Sequence, residues 1–168
     1  MGDKKVRKMV FTALFAALSC TATLVIHIPT PMNGYVNLGD CIVLLSGWLL
    51  GPVYGFLAAG IGSGLADFLL GYTYYVPATF VIKGLMALLA WWIGQKLGKQ
   101  TRPGRLLSAV VAECWMILGY FVYESLLLGY GLAAAASIPG NAIQGLCGLV
   151  VATLLQELFE RSGLRAKA

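Results

Sequence analysis

The sequence predicts an all-α polytopic membrane protein, a bundle of six transmembrane helices with both termini cytoplasmic. Three observations predict it. Apolar residues fill 59% of the 168 positions and charged residues only 11%, with a mean hydropathy of +0.80, so there are too few charges to cover a soluble surface. The apolar residues fall in runs near the length of about 20 residues that a helix needs to cross about 30 Å of hydrocarbon. The cations are segregated: eleven of the twelve Lys and Arg lie at Lys4, Lys5, Arg7 and Lys8, at Lys96, Lys99, Arg102 and Arg105, and at Arg161, Arg165 and Lys167. Loops carrying Lys and Arg stay in the cytoplasm. The alternate connections, 29–37, 71–77 and 129–138, contain neither residue, as an even number of spans requires. The net charge of +5 is thereby a matter of topology, and a nucleic-acid partner is not expected.

The elements follow in order, within one domain covering 1–168. The first helix is predicted over 9–28 and ends at the His27-Ile28-Pro29-Thr30-Pro31 break, since proline removes a donor and restricts its predecessor. A basic flank before an apolar run also fits a signal peptide, but no small-residue cleavage site follows, and the helix is kept in the mature chain. A short second helix covers 38–50. Gly51-Pro52 turns the chain into a third over 53–70, and a tyrosine-rich loop leads to a fourth over 78–97. A polar linker precedes a fifth helix over 106–128, and the sixth covers 139–159.

Five ionisable residues remain inside these spans: Asp40, Asp67, Lys83, Glu113 and Glu124. Such groups cost several kcal/mol in a bilayer unless they pair or face a cavity. Counted from the helix ends, all but Glu113 belong to the outer half. Asn141 and Gln144 lie at similar depth on one face of the sixth helix, three residues apart. One reading makes Asp40, Asp67 and Lys83 an ion network that locks the helices; the other makes the same groups the wall of a polar cavity open to the outside. The two are compatible, and Asp40 also suits a helix N-terminus. Glu113, the deepest carboxylate, reads as a hydrogen-bonded structural residue. Tyr35, Tyr74 and their neighbours stand beside the acidic residues, placed to stack on a flat ligand, whereas Trp91, Trp92 and Tyr130 suit an interfacial belt.

Small residues form a second pattern. Gly55, Ala59 and Ser63, with Gly60 and Gly64, suit close packing of the third helix within the bundle, while Ala13 and Ala17 form a stripe open to a neighbour inside or outside the chain. Enzyme motifs fail on spacing. Gly94 and Gly98 before Lys99 are separated by three residues rather than the four of a phosphate loop, and Gln100 replaces the hydroxyl. Ser63 between two glycines lacks a base, because the single histidine, His27, lies at the far end of the first helix. The four cysteines are scattered, and no metal site is expected.

The basic flank before Ala13-x-x-x-Ala17, the segment Gly34-Tyr-Val-Asn-Leu-Gly-Asp40, the Leu50-Gly-Pro52 turn, Gly62-Ser-Gly-Leu-Ala-Asp67 and Ala78-Thr-Phe-Val-Ile-Lys-Gly84 together resemble the substrate-binding S component of energy-coupling factor (ECF) vitamin transporters. The branch is the one named for riboflavin uptake, which includes proposed hydroxymethylpyrimidine and vitamin B6 carriers. The resemblance spans nearly the whole chain, is strongest over 34–84 and is weakest in the last two helices. It implies a bacterial plasma-membrane subunit that is not an enzyme and needs no cofactor. Its partners would be a transmembrane coupling subunit and two ATPase subunits, which alone use ATP, and it would topple in the membrane to deliver its vitamin. Substrate contacts are expected from Tyr35, Asn37, Asp40, Asp67, Tyr74, Lys83, Glu124, Asn141 and Gln144. Docking is expected at Ala13 and Ala17, and gating in the loop around Asn33 and Gly34. Vitamin B6 or hydroxymethylpyrimidine is the expected ligand and riboflavin the alternative; a stand-alone proton-coupled secondary transporter is the alternative of another class, and a ligand-free assembly protein a further one.

Overall fold

A computed structural model describes residues 2–30, 34–97 and 101–162. Six α-helices alternate in direction: α1 (Asp3–Val25), α2 (Gly39–Leu50), α3 (Pro52–Leu69), α4 (Val76–Lys96), α5 (Arg102–Val122) and α6 (Ile138–Arg161). A two-stranded antiparallel hairpin, β1 (His27–Thr30) and β2 (Gly34–Asn37), joins α1 to α2. A π-helical turn (Tyr123–Leu127) continues α5, and a 3-10 segment (Gly131–Ser137) leads into α6.

All six predicted helices are present, with shifted ends. The first begins at Asp3 rather than residue 9, so Lys4 to Lys8 lie on the helix itself, immediately before its apolar part. It ends at Val25 because the predicted last turn is strand. The segment expected as a loop pairs His27 with Asn37, Ile28 with Val36, Pro29 with Tyr35 and Thr30 with Gly34. Pro29 is tolerated because a two-stranded ribbon leaves each strand an open edge that needs no donor. The expected gating residue Asn33 lies outside the described residues, as do Lys99, Arg165 and Lys167.

The bundle is built around α2 and α3. At twelve residues α2 is about 18 Å long, well short of the hydrocarbon thickness. Nine of its residues are buried, with Val43 and Leu44 fully enclosed, so it is a central plug flanked by α1, α3, α4 and α6. Gly51, at φ +83°, makes the left-handed turn between α2 and α3 that other residues resist. The small residues of α3 serve contacts within the chain. A Cβ at Gly62 would stand 2.4 Å from the Ala16 carbonyl oxygen of α1, and the Ser19 and Ser63 hydroxyls bond across the same contact at 3.3 Å. Ala13 and Ala17 lie on the exposed side of α1, away from that seam. At the end opposite the hairpin, Arg105 pairs with Glu160 at 2.6 Å and so joins α5 to α6.

Candidate functional site

A chain of polar contacts begins at Asp40 in the first turn of α2. Asp40 is fully buried and forms an ion pair with Lys83 of α4, itself 2% exposed. Its second oxygen accepts from Gln144 Nε2 of α6 at 2.7 Å. Gln144 Oε1 then accepts from the Asn37 backbone N–H at 2.9 Å and from Asn37 Nδ2 at 3.2 Å. Asn37 Oδ1 accepts from the Gly39 N–H at 2.7 Å and from the Thr23 hydroxyl at 3.3 Å. One run of side chains thus ties α4, α2, α6 and α1 to the end of the hairpin. Each member satisfies the next, which is what makes a buried polar network tolerable.

A cavity opens above this run, beneath the hairpin. It encloses about 510 Å³ of space between atoms, open solvent at its mouth included. Of the expected substrate residues, Tyr35, Asn37, Asp67, Lys83, Glu124, Asn141 and Gln144 line it, together with Gly34 of the expected gate. Tyr35 donates its hydroxyl to Asp67 Oδ1, joining β2 to α3. Burial, and then the Asp67 carboxylate beside it, raise the Tyr35 hydroxyl pKa well above its ordinary value, which keeps the proton in that bond. Asp67 Oδ2 is buried with no donor in hydrogen-bond geometry; the Thr79 hydroxyl, which shares a 3.0 Å contact with the Tyr120 hydroxyl, is the neutral group beside that carboxyl. Glu124 accepts from the Tyr75 hydroxyl at 3.0 Å and the Ser137 hydroxyl at 2.6 Å. Its place is set by the π-helical turn, where the Leu128 N–H reaches back to the Tyr123 carbonyl. The extra residue of such a turn changes which side chains face inward. The Tyr35 and Tyr72 rings stand 4.9 Å apart, and Tyr75 and Tyr120 6.2 Å apart, spacings at which aromatic groups attract one another.

Two expected substrate residues fall elsewhere. Asp40 lies behind the wall, tethering Lys83 and Gln144, because it sits one turn deeper than the hairpin it follows. Tyr74 is 42% exposed and leans on Tyr75; the adjacent Tyr75, at the start of α4, takes the inward position. Glu113 lies beside Asp40, deeper than the cavity. Both of its carboxyl oxygens are buried against Gly145 and Gly148 of α6, with no donor directed at them among the described residues. Sequence reasoning passed over Ser63, Thr79 and Ser137 in the wall. Each precedes an expected residue by one helical turn, as Ser63 does Asp67, Thr79 does Lys83 and Ser137 does Asn141, so four-residue spacing could have found them.

The arrangement suits non-covalent capture of a small flat solute, with aromatic faces and a few convergent polar groups. No group of three His, Cys, Asp or Glu among the described residues could hold a metal ion.

Comparison with known proteins gives this geometry a context. The family model for the "ECF-type riboflavin transporter, S component" matches residues 3–161. A Lactococcus lactis protein named "Thiamine precursor transporter HmpT" is 27% identical over 166 residues, covering 98% of this chain and 94% of its own. An uncharacterized protein of Pyrococcus woesei is 35% identical over 131 residues, 77% of this chain and 85% of its own. A solved structure described as "Structure and mechanism of the S component of a bacterial ECF transporter" superposes with a TM-score of 0.74 at 21% identity, over 94% of this chain and 97% of that one.

Proposed function

Because the chain belongs to the family of ECF-type riboflavin transporter S components, we propose that it captures a small water-soluble vitamin or precursor, hydroxymethylpyrimidine or vitamin B6, in the cavity under the hairpin. Membership makes it a multi-pass membrane transport subunit rather than an enzyme, one that works with an energy-coupling module. The observation that carries the ligand reading is the cavity itself, lined by polar groups from the hairpin, α3, α4, the π-helical turn and α6 under a tyrosine cluster. One substituted aromatic ring needs no more than this, and the L. lactis relative's name points the same way.

The charge pattern and the packing support the proposed orientation and gate, and family membership supports the coupling steps. The basic end faces the cytoplasm and the hairpin end faces out, so the vitamin enters past Gly34 and Tyr35. The hairpin, held by Tyr35, Asn37 and Thr23, acts as the gate. The exposed Ala13 and Ala17 stripe offers a flat surface to a transmembrane coupling subunit, whose two ATPases would drive toppling. ATP binds those partners and not this chain.

The test is to purify the chain in detergent, identify by mass spectrometry what comes with it, and titrate the stripped protein with a vitamin panel. Copurified pyrimidine or B6 at submicromolar affinity is expected. A yellow preparation containing flavin would replace the ligand assignment, and uptake by this chain alone that collapses with an uncoupler would replace the subunit role.

A further inference from the structure

Carboxyl groups outnumber cations in and around the cavity. Asp67 and Glu124 line it, and Asp40 and Glu113 lie behind its wall. Lys83 is the one Lys, Arg or His among the described lining residues, and its ammonium is already engaged by Asp40. His27, whose ring is 6.3 Å from that of Tyr35, is exposed outside the cavity. Asp67 is 3% exposed and Glu124 2%, yet neither has an ion-pair partner within 4 Å among the described residues. Among the described residues, Glu124 accepts from two neutral hydroxyls. Asp67 accepts one on Oδ1, and its Oδ2, with only the neutral Thr79 hydroxyl beside it, has no donor in hydrogen-bond geometry. Buried carboxylates ordinarily have cationic or fully hydrogen-bonded surroundings, so what this cavity lacks is donors and positive charge.

We propose that the cavity selects its ligand by an amino group carried on a single heteroaromatic ring, with Asp67 Oδ2 as the principal acceptor and Glu124 as the second. The proposal rests on the vitamin-binding reading above and narrows its substrate class to amino-substituted rings, the aminopyrimidines and aminomethylpyridines. The Tyr35 bond to Oδ1 orients the carboxyl so that Oδ2 remains for the ligand. The tyrosine faces around the site favour a cationic or electron-poor ring. The same charge balance rejects anions. A phosphorylated or carboxylated ring would meet two carboxylates, and the nearby ammonium is held by Asp40, so exclusion of the phosphorylated vitamin is built in by repulsion.

The experiment is calorimetric titration of the purified full-length chain with matched pairs. One pair is 4-amino-5-hydroxymethyl-2-methylpyrimidine and its 4-hydroxy counterpart; the other is pyridoxamine and pyridoxine; riboflavin and pyridoxamine 5′-phosphate complete the panel. The amino member of the pair that binds is expected to be tighter by about 10- to 100-fold, as for a hydrogen bond to a charged group, with the phosphate ester weaker still. That preference should fall below about threefold in Asp67→Asn, and Glu124→Gln should reduce it as well, which keeps a readout should one variant misfold. Equal binding of amino and hydroxy partners by the unmodified chain, or a preference that survives in both variants, overturns the proposal while leaving the vitamin-binding reading intact. Binding of riboflavin alone, or of none of the panel, overturns the ligand reading itself and the proposal with it.

Discussion

Replacing Lys83 with methionine removes the ammonium from the Asp40 ion pair while keeping the length of the side chain. Both partners are enclosed, at 2% and 0% exposure, so water cannot take over the lost contact. Asp40 keeps the Gln144 amide at 2.7 Å and the neighbouring Glu113 carboxyl, and neither supplies the positive charge that balances a buried carboxylate. Breaking a buried pair from one side costs about 3–5 kcal/mol. At about 2–4 °C per kcal/mol for a chain of this size, the melting temperature should fall by roughly 6–20 °C. The assay is thermal unfolding of the ligand-free protein in detergent, followed by tryptophan fluorescence. The double variant Asp40→Asn/Lys83→Met keeps an acceptor for Gln144 and removes the stranded charge, so it should regain at least half of the loss. That corresponds to a coupling energy of about 1.5 kcal/mol or more. A shift below about 3 °C in Lys83→Met, or two single-variant losses that simply add, would refute the claim that this pair holds α2 to α4.

Three further expectations concern other contacts. Gly62→Ala should lower the melting temperature by an amount equivalent to about 1–3 kcal/mol, because the added Cβ meets the Ala16 carbonyl oxygen at 2.4 Å; Gly64→Ala, whose nearest neighbour would be at 3.5 Å, is the control and should change little. Tyr35→Phe removes the hairpin's hold on Asp67, and stopped-flow measurement should find ligand release faster by about 5- to 30-fold with an intact fold. Ala13→Trp or Ala17→Trp should leave ligand affinity unchanged and abolish copurification with the coupling module, since both sites lie on the exposed side of α1.

The helices were legible because apolar runs and proline breaks mark them directly, and the family was legible in short segments between Ala13 and Gly84. What was not legible was rotation. In a soluble helix the polar face shows which side is inward, but in a bilayer both the lipid side and the core side are apolar. Depth could be counted for Asp40 and Asp67, but not the direction in which each points, and Asp40 was therefore placed in the wall it stands behind. The hairpin was missed because its strands are four residues each, too short for an alternating pattern, and its prolines read as breakers. The inward turn of Glu124 depends on the π-helical segment, for which the sequence offers no separate signal. Tyr75 and Tyr74 are neighbours in one loop, and only tertiary packing decides which of them turns inward.

The polar residues of the bundle divide by how completely they are paired, and that division predicts opposite outcomes for superficially similar substitutions. Lys83, Asp40, Gln144, Asn37 and Thr23 satisfy one another and join four helices to the hairpin, so any break among them should appear as lost stability. Asp67 and Glu124 lack a counter-charge and are costs to the empty protein, retained where they face a solute. Asp67→Asn keeps the shape and the Oδ1 acceptor for Tyr35 while removing the unbalanced charge. Its ligand-free melting temperature should stay level or rise by a few degrees, as when a strained functional site is relieved, even as affinity for an amino-substituted ring falls by about tenfold or more. Thermal unfolding with and without ligand measures both quantities in one series. Lower stability of the ligand-free Asp67→Asn protein, matching that of Lys83→Met, would show that Asp67 belongs to the scaffold rather than the site.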